Sequence, residues 1–236
     1  MKGKLPAICL FYFLIVAVFI GLTIGGSEVV STMSENQPVQ RKHIVIIDPG
    51  HGGIDGGATS CTGILESEIN LSIGLRLNDL MHLMGYETQM IRTTDTSVYT
   101  EGNTIAQQKI SDLKERVRVV NEITNGVLIS IHQNTFSDGR YSGAQVFYSD
   151  MPESRKLAES LQSAVIRTLN PGSNRKPKKA DGIYLMEKVE RTAVLVECGF
   201  LSNPEEEAKL RSAGYQQKLC CVIAAVMGEY LSSLAG

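Results

Sequence analysis

Three short apolar runs, each closing on a residue that can bind a metal or move a proton, constrain this chain more than any other feature. HIVIIDPGH ends at His51, GVLISIH at His132 and TAVLVE at Glu197. Between them lie stretches with helical spacing. Glu66 to Met84 carries Ile69, Ile73, Leu77, Leu80 and Met84 and stops at Gly85, and Ile110 to Asn121 sets Leu113, Val117 and Val120 against a charged side. Further helices are expected from about Glu153 to Leu169, Pro204 to Ser212 and Tyr215 to Leu231. Strands are expected over Ile44 to Ile47, Tyr86 to Ile91, Val127 to Ile131, Ala144 to Tyr148, a short piece near Ile183 to Leu185, and Ala193 to Val196. This alternation predicts an α/β single domain, a mixed twisted sheet covered by helices on both faces.

In open α/β sheets the site lies outside the carboxyl ends of the strands, so the three run endings should converge there. A fourth group, Glu66, opens the first long helix fifteen residues after His51. Two imidazoles and a carboxylate can hold zinc and leave one position for water. A histidine after a strand can equally be a polar residue satisfied by its own hydrogen bonds. His82, inside a helix, reads as a surface or packing residue, and His43 precedes its strand. The run IDPGHGGIDGG adds Gly50, Gly52, Gly53, Gly56 and Gly57 around His51. Such a density means that the backbone approaches something closely or takes up positive φ repeatedly.

The first residues do not belong to this domain. Lys2 and Lys4 precede Leu5 to Ile24, an uncharged stretch long enough to span a bilayer at about 1.5 Å per residue. No A-x-A cleavage site follows, although Gly25, Gly26 and Ser27 are small, so residues 1–26 read as a signal anchor in preference to a cleaved signal peptide. The lysines before it favour a cytoplasmic N-terminus with the rest outside. Residues 27–41 read as a polar tether, and the folded domain as 42–236. The formal charge of −2 gives no reason to expect nucleic acid as a partner. The five cysteines, Cys9, Cys61, Cys198, Cys220 and Cys221, have no CxxC spacing and form no disulfide framework. The adjacent pair in the last helix reads as small hydrophobes.

Taken in order, DPGHGGIDGGA, GILESEINL, SIHQN and VLVECGFLSN resemble the zinc-dependent N-acetylmuramoyl-L-alanine amidases of the amidase-3 type. The likeness runs from His43 to Tyr230. It implies cleavage of the bond between the lactyl group of muramic acid and L-alanine in peptidoglycan. Position by position, it implies zinc ligands at His51, Glu66 and His132 and a catalytic glutamate at Glu197. Many relatives carry a lysine after the ligand glutamate and a small residue between the histidine and asparagine of SIHxN; here these are Ser67 and Gln133, which bears on substrate preference. The anchor and the stretch ADGIYLM are similar to the spore-cortex members, whose products feed synthesis of muramic-δ-lactam. That likeness implies work on the extracytoplasmic face, between the forespore and mother-cell membranes, with room for an envelope partner protein.

The zinc chemistry would supply hydroxide near neutral pH and polarise the amide carbonyl, with Glu197 carrying the proton. An ion pair of Glu197 with Arg191 or Arg92 is the plainer alternative. Asp48 is expected to orient a histidine ring or cap the loop. Asn134 either touches substrate or holds its own turn, Arg116 on a helix surface reads as a structural ion pair, and RKPKK (175–179) as a solvated loop able to attract acidic polymers. Two other functions fit less well. A non-catalytic wall-binding protein would lack one of the four site residues, and a zinc peptidase or deacetylase would hold its ligands at HxxE or HxxxH spacing.

Overall fold

A computed structural model describes residues 43–234; the expected membrane segment (1–26) and tether (27–41) lie outside them. Among the described residues no helix is long and apolar enough to cross a membrane. The elements run β1 (Ile44–Pro49), α1 (Glu66–Leu83), β2 (Glu87–Met90), α2 (Ile105–Glu122), β3 (Gly126–Asn134), β4 (Gln145–Tyr148), α3 (Ser154–Leu169), β5 (Lys178–Lys179), α4 (Tyr184–Lys188), β6 (Thr192–Phe200), α5 (Pro204–Arg211) and α6 (Ala213–Ser233). The strands form one sheet in the order β2, β1, β3, β6, β4, β5. The first four are parallel neighbours, β4 is antiparallel to β6, and β5 is parallel to β4. The sheet is therefore mixed, as the sequence led us to expect.

Successive side chains of a strand point to opposite faces, and a sheet covered on both faces needs apolar residues at every position. Val45 and Ile47 of β1 pack with Ile129, Val194 and Val196 against Ile73 and Leu77 of α1, Leu161 of α3 and Ile223 of α6. Ile46, Leu128 and Leu195 point the other way, onto Val120 of α2 and Leu185 and Met186 of α4. Each fully buried side chain of this size stabilises the fold by about 1.5–3 kcal/mol relative to exposure. The continuous apolar runs are thus the two-sided core, and their common direction puts their carboxyl ends side by side.

Two local expectations fail. The residues near Ile183 to Leu185 are not a strand: Glu187 N donates to Ile183 O at 3.0 Å and Val189 N to Leu185 O at 3.1 Å, closing the short helix α4. Adjacent Leu185 and Met186 are both buried on one sheet face, which helical turns allow and a strand does not. The edge strand lies instead at Lys178 and Lys179, at the end of the expected basic loop, where Ala180 N donates to Tyr148 O at 3.0 Å. Both lysines are exposed, and lysine on an edge strand discourages further pairing. Helix α2 also begins five residues earlier than its apolar spacing suggests. Thr104 caps it, its hydroxyl accepting from Gln107 N at 3.3 Å while Gln107 Oε1 accepts from Thr104 N at 3.3 Å.

Candidate metal centre

The carboxyl-terminal parts of β1, β3 and β6 lie side by side, although only β1 stops there: β3 and β6 run on past His132 and Glu197 to Asn134 and Phe200. Pro49 lies opposite Ile131, and His132 opposite Glu197. The chain leaves β1 against the imidazole of β3: Gly50 N donates to Ile131 O at 3.0 Å, and a Cβ at Gly50 would sit 2.2 Å from His132 Nε2. His51 then adopts a left-handed backbone, φ 61°, the only positive φ outside glycine among the described residues. Such a conformation costs about 1–2 kcal/mol and persists where its surroundings hold it. Here Arg116 Nη2 donates to His51 O at 2.7 Å, and Gly52 and Asp55 exchange backbone hydrogen bonds of 2.8 and 3.2 Å. Gly57 closes the loop at φ 69°, where a Cβ would meet Glu66 Oε2 at 2.6 Å. Gly50 and Gly57 are there because the loop wraps side chains of the site at distances that exclude a methyl group, whereas Gly52 and Gly53 lie against Thr96, Arg92 and Ser97.

His51, Glu66 and His132 are brought together, with one possible ligand atom of each within 4.8 Å of the others. His51 Nε2 stands 3.3 Å from Glu66 Oε2, and His132 Nδ1 3.0 Å from Glu66 Oε1. Tetrahedral zinc with bonds of about 2.0–2.1 Å separates its ligand atoms by roughly 3.3 Å; the donor set suits such an ion, and each imidazole stands near that distance from a Glu66 oxygen. Glu66 is fixed from its own side by Ala58 N at 2.9 Å, Gln133 N at 3.1 Å and Asn70 Nδ2 at 3.2 Å. Burial works to raise its pKa, but hydrogen bonds from His132 and His51 overcome that and hold the carboxyl far below the usual range. Burial likewise works to lower the His51 pKa. Hydrogen bonds to Asp55 and Glu66 reverse this and raise it to about 9.

Glu197 shares a cleft of about 420 Å³ with His51 and His132. Its Oε2 is buried without a hydrogen-bond partner. Burial is the main reason that its pKa rises to about 7; the two histidines pull it down and Glu66 pushes it up. The ion pairs considered as alternatives do not form. Arg92 donates to the carbonyls of Pro49, Gly50 and Ser67 at 2.8–3.1 Å, and Arg191 to Ile123 O at 2.8 Å.

Asp48 does not orient a histidine. It is buried against Arg116 and accepts from Ser130 Oγ at 2.6 Å. Arg116 is not on the surface either: it is 2% exposed and also binds Asp112 at 2.6 Å, which makes it the structural ion pair expected but inside the protein. The residue that does hold a histidine is Asp55, whose Oδ2 lies 2.9 Å from His51 Nδ1 and whose Oδ1 lies 2.7 Å from Lys109 Nζ. The hydrogen bond from His51, with help from Lys109, keeps Asp55 well below the usual carboxylate range. Its position four residues after His51 in the glycine-rich run was the available signal. Lys109 had none, because it comes from α2. Arg175, in the basic loop, stacks over Phe200 at 5.2 Å and donates to Ser142 O. His82 bonds Thr88 and His43 bonds Asn125 O, both away from the site. Cys61, Cys198, Cys220 and Cys221 are free; Cys220 is a buried small hydrophobe and Cys221 is exposed.

Comparison with known proteins gives a consistent picture. A family model for N-acetylmuramoyl-L-alanine amidases, amidase-3, matches residues 45–228. The germination-specific N-acetylmuramoyl-L-alanine amidase of Bacillus subtilis is 38% identical over 182 residues, 76% of this chain and 76% of that protein. LytC, an N-acetylmuramoyl-L-alanine amidase of the same organism, is 30% identical over 84% of this chain, which spans 38% of LytC. Among solved structures, the CwlD amidase of Clostridioides difficile, in complex with the GerS lipoprotein, superposes with a TM-score of 0.77. It is 36% identical, over 81% of this chain and 100% of that one.

Proposed function

Since the chain belongs to the amidase-3 family of N-acetylmuramoyl-L-alanine amidases, we propose that it hydrolyses the muramoyl–L-alanine amide of peptidoglycan as a zinc enzyme of the spore cortex. In this reading His51, Glu66 and His132 hold zinc, and Glu197 is the catalytic acid and base. The observation that carries it is the meeting of two imidazoles and a carboxylate within 4.8 Å, beside a half-buried Glu197 whose buried Oε2 has no partner.

Zinc, when bound, supplies a Lewis acid that polarises the amide carbonyl and lowers the pKa of water. The chain's own groups do the rest. Glu197, as a carboxylate, accepts a proton from the attacking water while the new C–O bond forms at the lactyl carbonyl. The same proton goes to the departing nitrogen as the C–N bond breaks, leaving a lactyl carboxylic acid and the L-alanine amine, and the acid's proton then passes to the amine to give carboxylate and ammonium. A carboxyl raised toward neutrality is suited to both halves of that transfer. Leu113 and Leu195, with Ile183 and Leu185, give the cleft an apolar wall on one side.

Removal of stem peptides in this way prepares muramic acid for δ-lactam closure, the role suggested by likeness to a germination-specific amidase. The enzyme would act on the extracytoplasmic face, with residues 1–26 as membrane anchor, 27–41 as tether and 42–236 as catalytic part. The complex of a relative with a lipoprotein supports an envelope protein as partner. Full-length protein incubated with zinc and purified peptidoglycan is expected to release stem peptides with a free L-alanine amine, read by mass spectrometry. Glu197→Ala should release none; release by that variant, or products cut elsewhere in the peptide, would refute the reading.

A further inference from the structure

The proposed ligand His51 has a second ring nitrogen, and its environment is built from two elements. Asp55 Oδ2 takes Nδ1 at 2.9 Å. Asp55 Oδ1 is held by Lys109 Nζ at 2.7 Å and by Gly57 N at 3.3 Å, so the plane of the carboxylate is fixed and its free oxygen faces the ring. The Asp55 backbone is tied to Gly52 by reciprocal hydrogen bonds. The His51 side chain is a quarter exposed and its ring lies edge-on to His132 at 5.0 Å, so the hydrogen bond at Nδ1 is the directional contact on the side away from Glu66. Lys109 stands on α2, fifty-four positions after Asp55, and lines the same cleft as Glu197.

We propose that Asp55 and Lys109 are positioning residues that aim Nε2 of His51 at the metal site, Lys109 anchoring from α2 the carboxylate that anchors the ring. The inference rests on His51 being a ligand. An exposed lysine–carboxylate pair normally contributes little to stability. This one acts on geometry: without Lys109, Asp55 can turn about its side-chain torsions and release Nδ1, and an unoriented ring binds metal more weakly.

The test measures zinc affinity of the full chain by competition with a chromophoric chelator, with the visible spectrum of the cobalt form as a report on ligand geometry. Variants are Asp55→Ala, Lys109→Met, Lys109→Arg and His51→Ala, each checked for its metal-free thermal midpoint. Asp55→Ala is expected to weaken zinc binding by about 10- to 100-fold and Lys109→Met by a smaller factor, with an altered cobalt spectrum. Lys109→Arg should restore both. Zinc held by Asp55→Ala and Lys109→Met as tightly as by the parent, while His51→Ala loses it, overturns the positioning role and leaves His51 a ligand. A Lys109→Met loss that arginine does not restore overturns the share given to Lys109. Retention of zinc by His51→Ala removes the ligand assignment and this inference with it.

Discussion

Glu197 Oε2 is buried with no protein partner, and a carboxylate in that state is destabilised unless something arrives to use it. Replacing Glu197 with Gln should leave zinc binding intact and lower kcat by about 10²- to 10⁴-fold; a variant with near-parent turnover would remove the proton-transfer role. The pH dependence follows from the same residue. With its pKa near 7 Glu197 is largely protonated at lower pH and cannot accept a proton, and the charge of a bound dication draws that value down. The acidic limb of kcat/KM should therefore lie at or below pH 7, with the rate rising as pH rises. A rate that falls with rising pH across that limb would contradict a base at Glu197. His51 behaves oppositely in the metal-free protein. Its folded pKa of about 9 lies above its ordinary 6.5, so its contribution to stability is fully present below 6.5 and is lost as pH rises through about 9. At Gly50, a methyl group would overlap the His132 ring. Gly50→Ala should weaken zinc binding on the order of tenfold or more, as measured by chelator competition.

At the scale of elements, helix α2 is clamped to the loop after β1 by one guanidinium. Arg116 binds Asp48, Asp112, and the carbonyls of Pro49 and His51. Burial works to lower its pKa, but the two aspartates hold it above its usual range. Arg116→Met strands a buried Asp48 and should cost about 3–5 kcal/mol in a urea unfolding titration. Adding Asp48→Asn should recover part of that loss, which a purely packing role for Arg116 would not allow. This clamp marks the limit of what the sequence discloses. The core strands were legible because burial on two faces demands apolar runs, and the four site residues because they sit at run ends or at a helix start. The burial of Arg116, the pairing of Asp48 with it and the part of Lys109 were not, since whether a charge on a helix turns inward depends on which strand end lies beneath it, and only the assembled fold decides that. The pairing of β5 uses backbone atoms alone, so its two lysines carried no strand signal, whereas the Thr104 and Gln107 cap was written in the sequence but lies ahead of the apolar spacing that marked the helix.

For the whole molecule, zinc should act as a ligand of the folded state only. At a concentration a hundredfold above its dissociation constant it would add about 2.7 kcal/mol, a rise in thermal midpoint of about 5–10 °C for a domain of this size. Calorimetry with and without chelator reads this, and the rise should vanish in His51→Ala; a shift that survives would mean the ion binds elsewhere. The sheet order has a further consequence, in time. Strand β6 is the last made and yet lies between β3 and β4, so every earlier stage of synthesis leaves β4 and β5 without a neighbour joining them to the rest of the sheet. The same strand carries Glu197. A growing or interrupted chain that stops before residue 192 can thus assemble neither the continuous sheet nor the proposed proton carrier, so joining the sheet's two parts and completing the site fall to the same late segment.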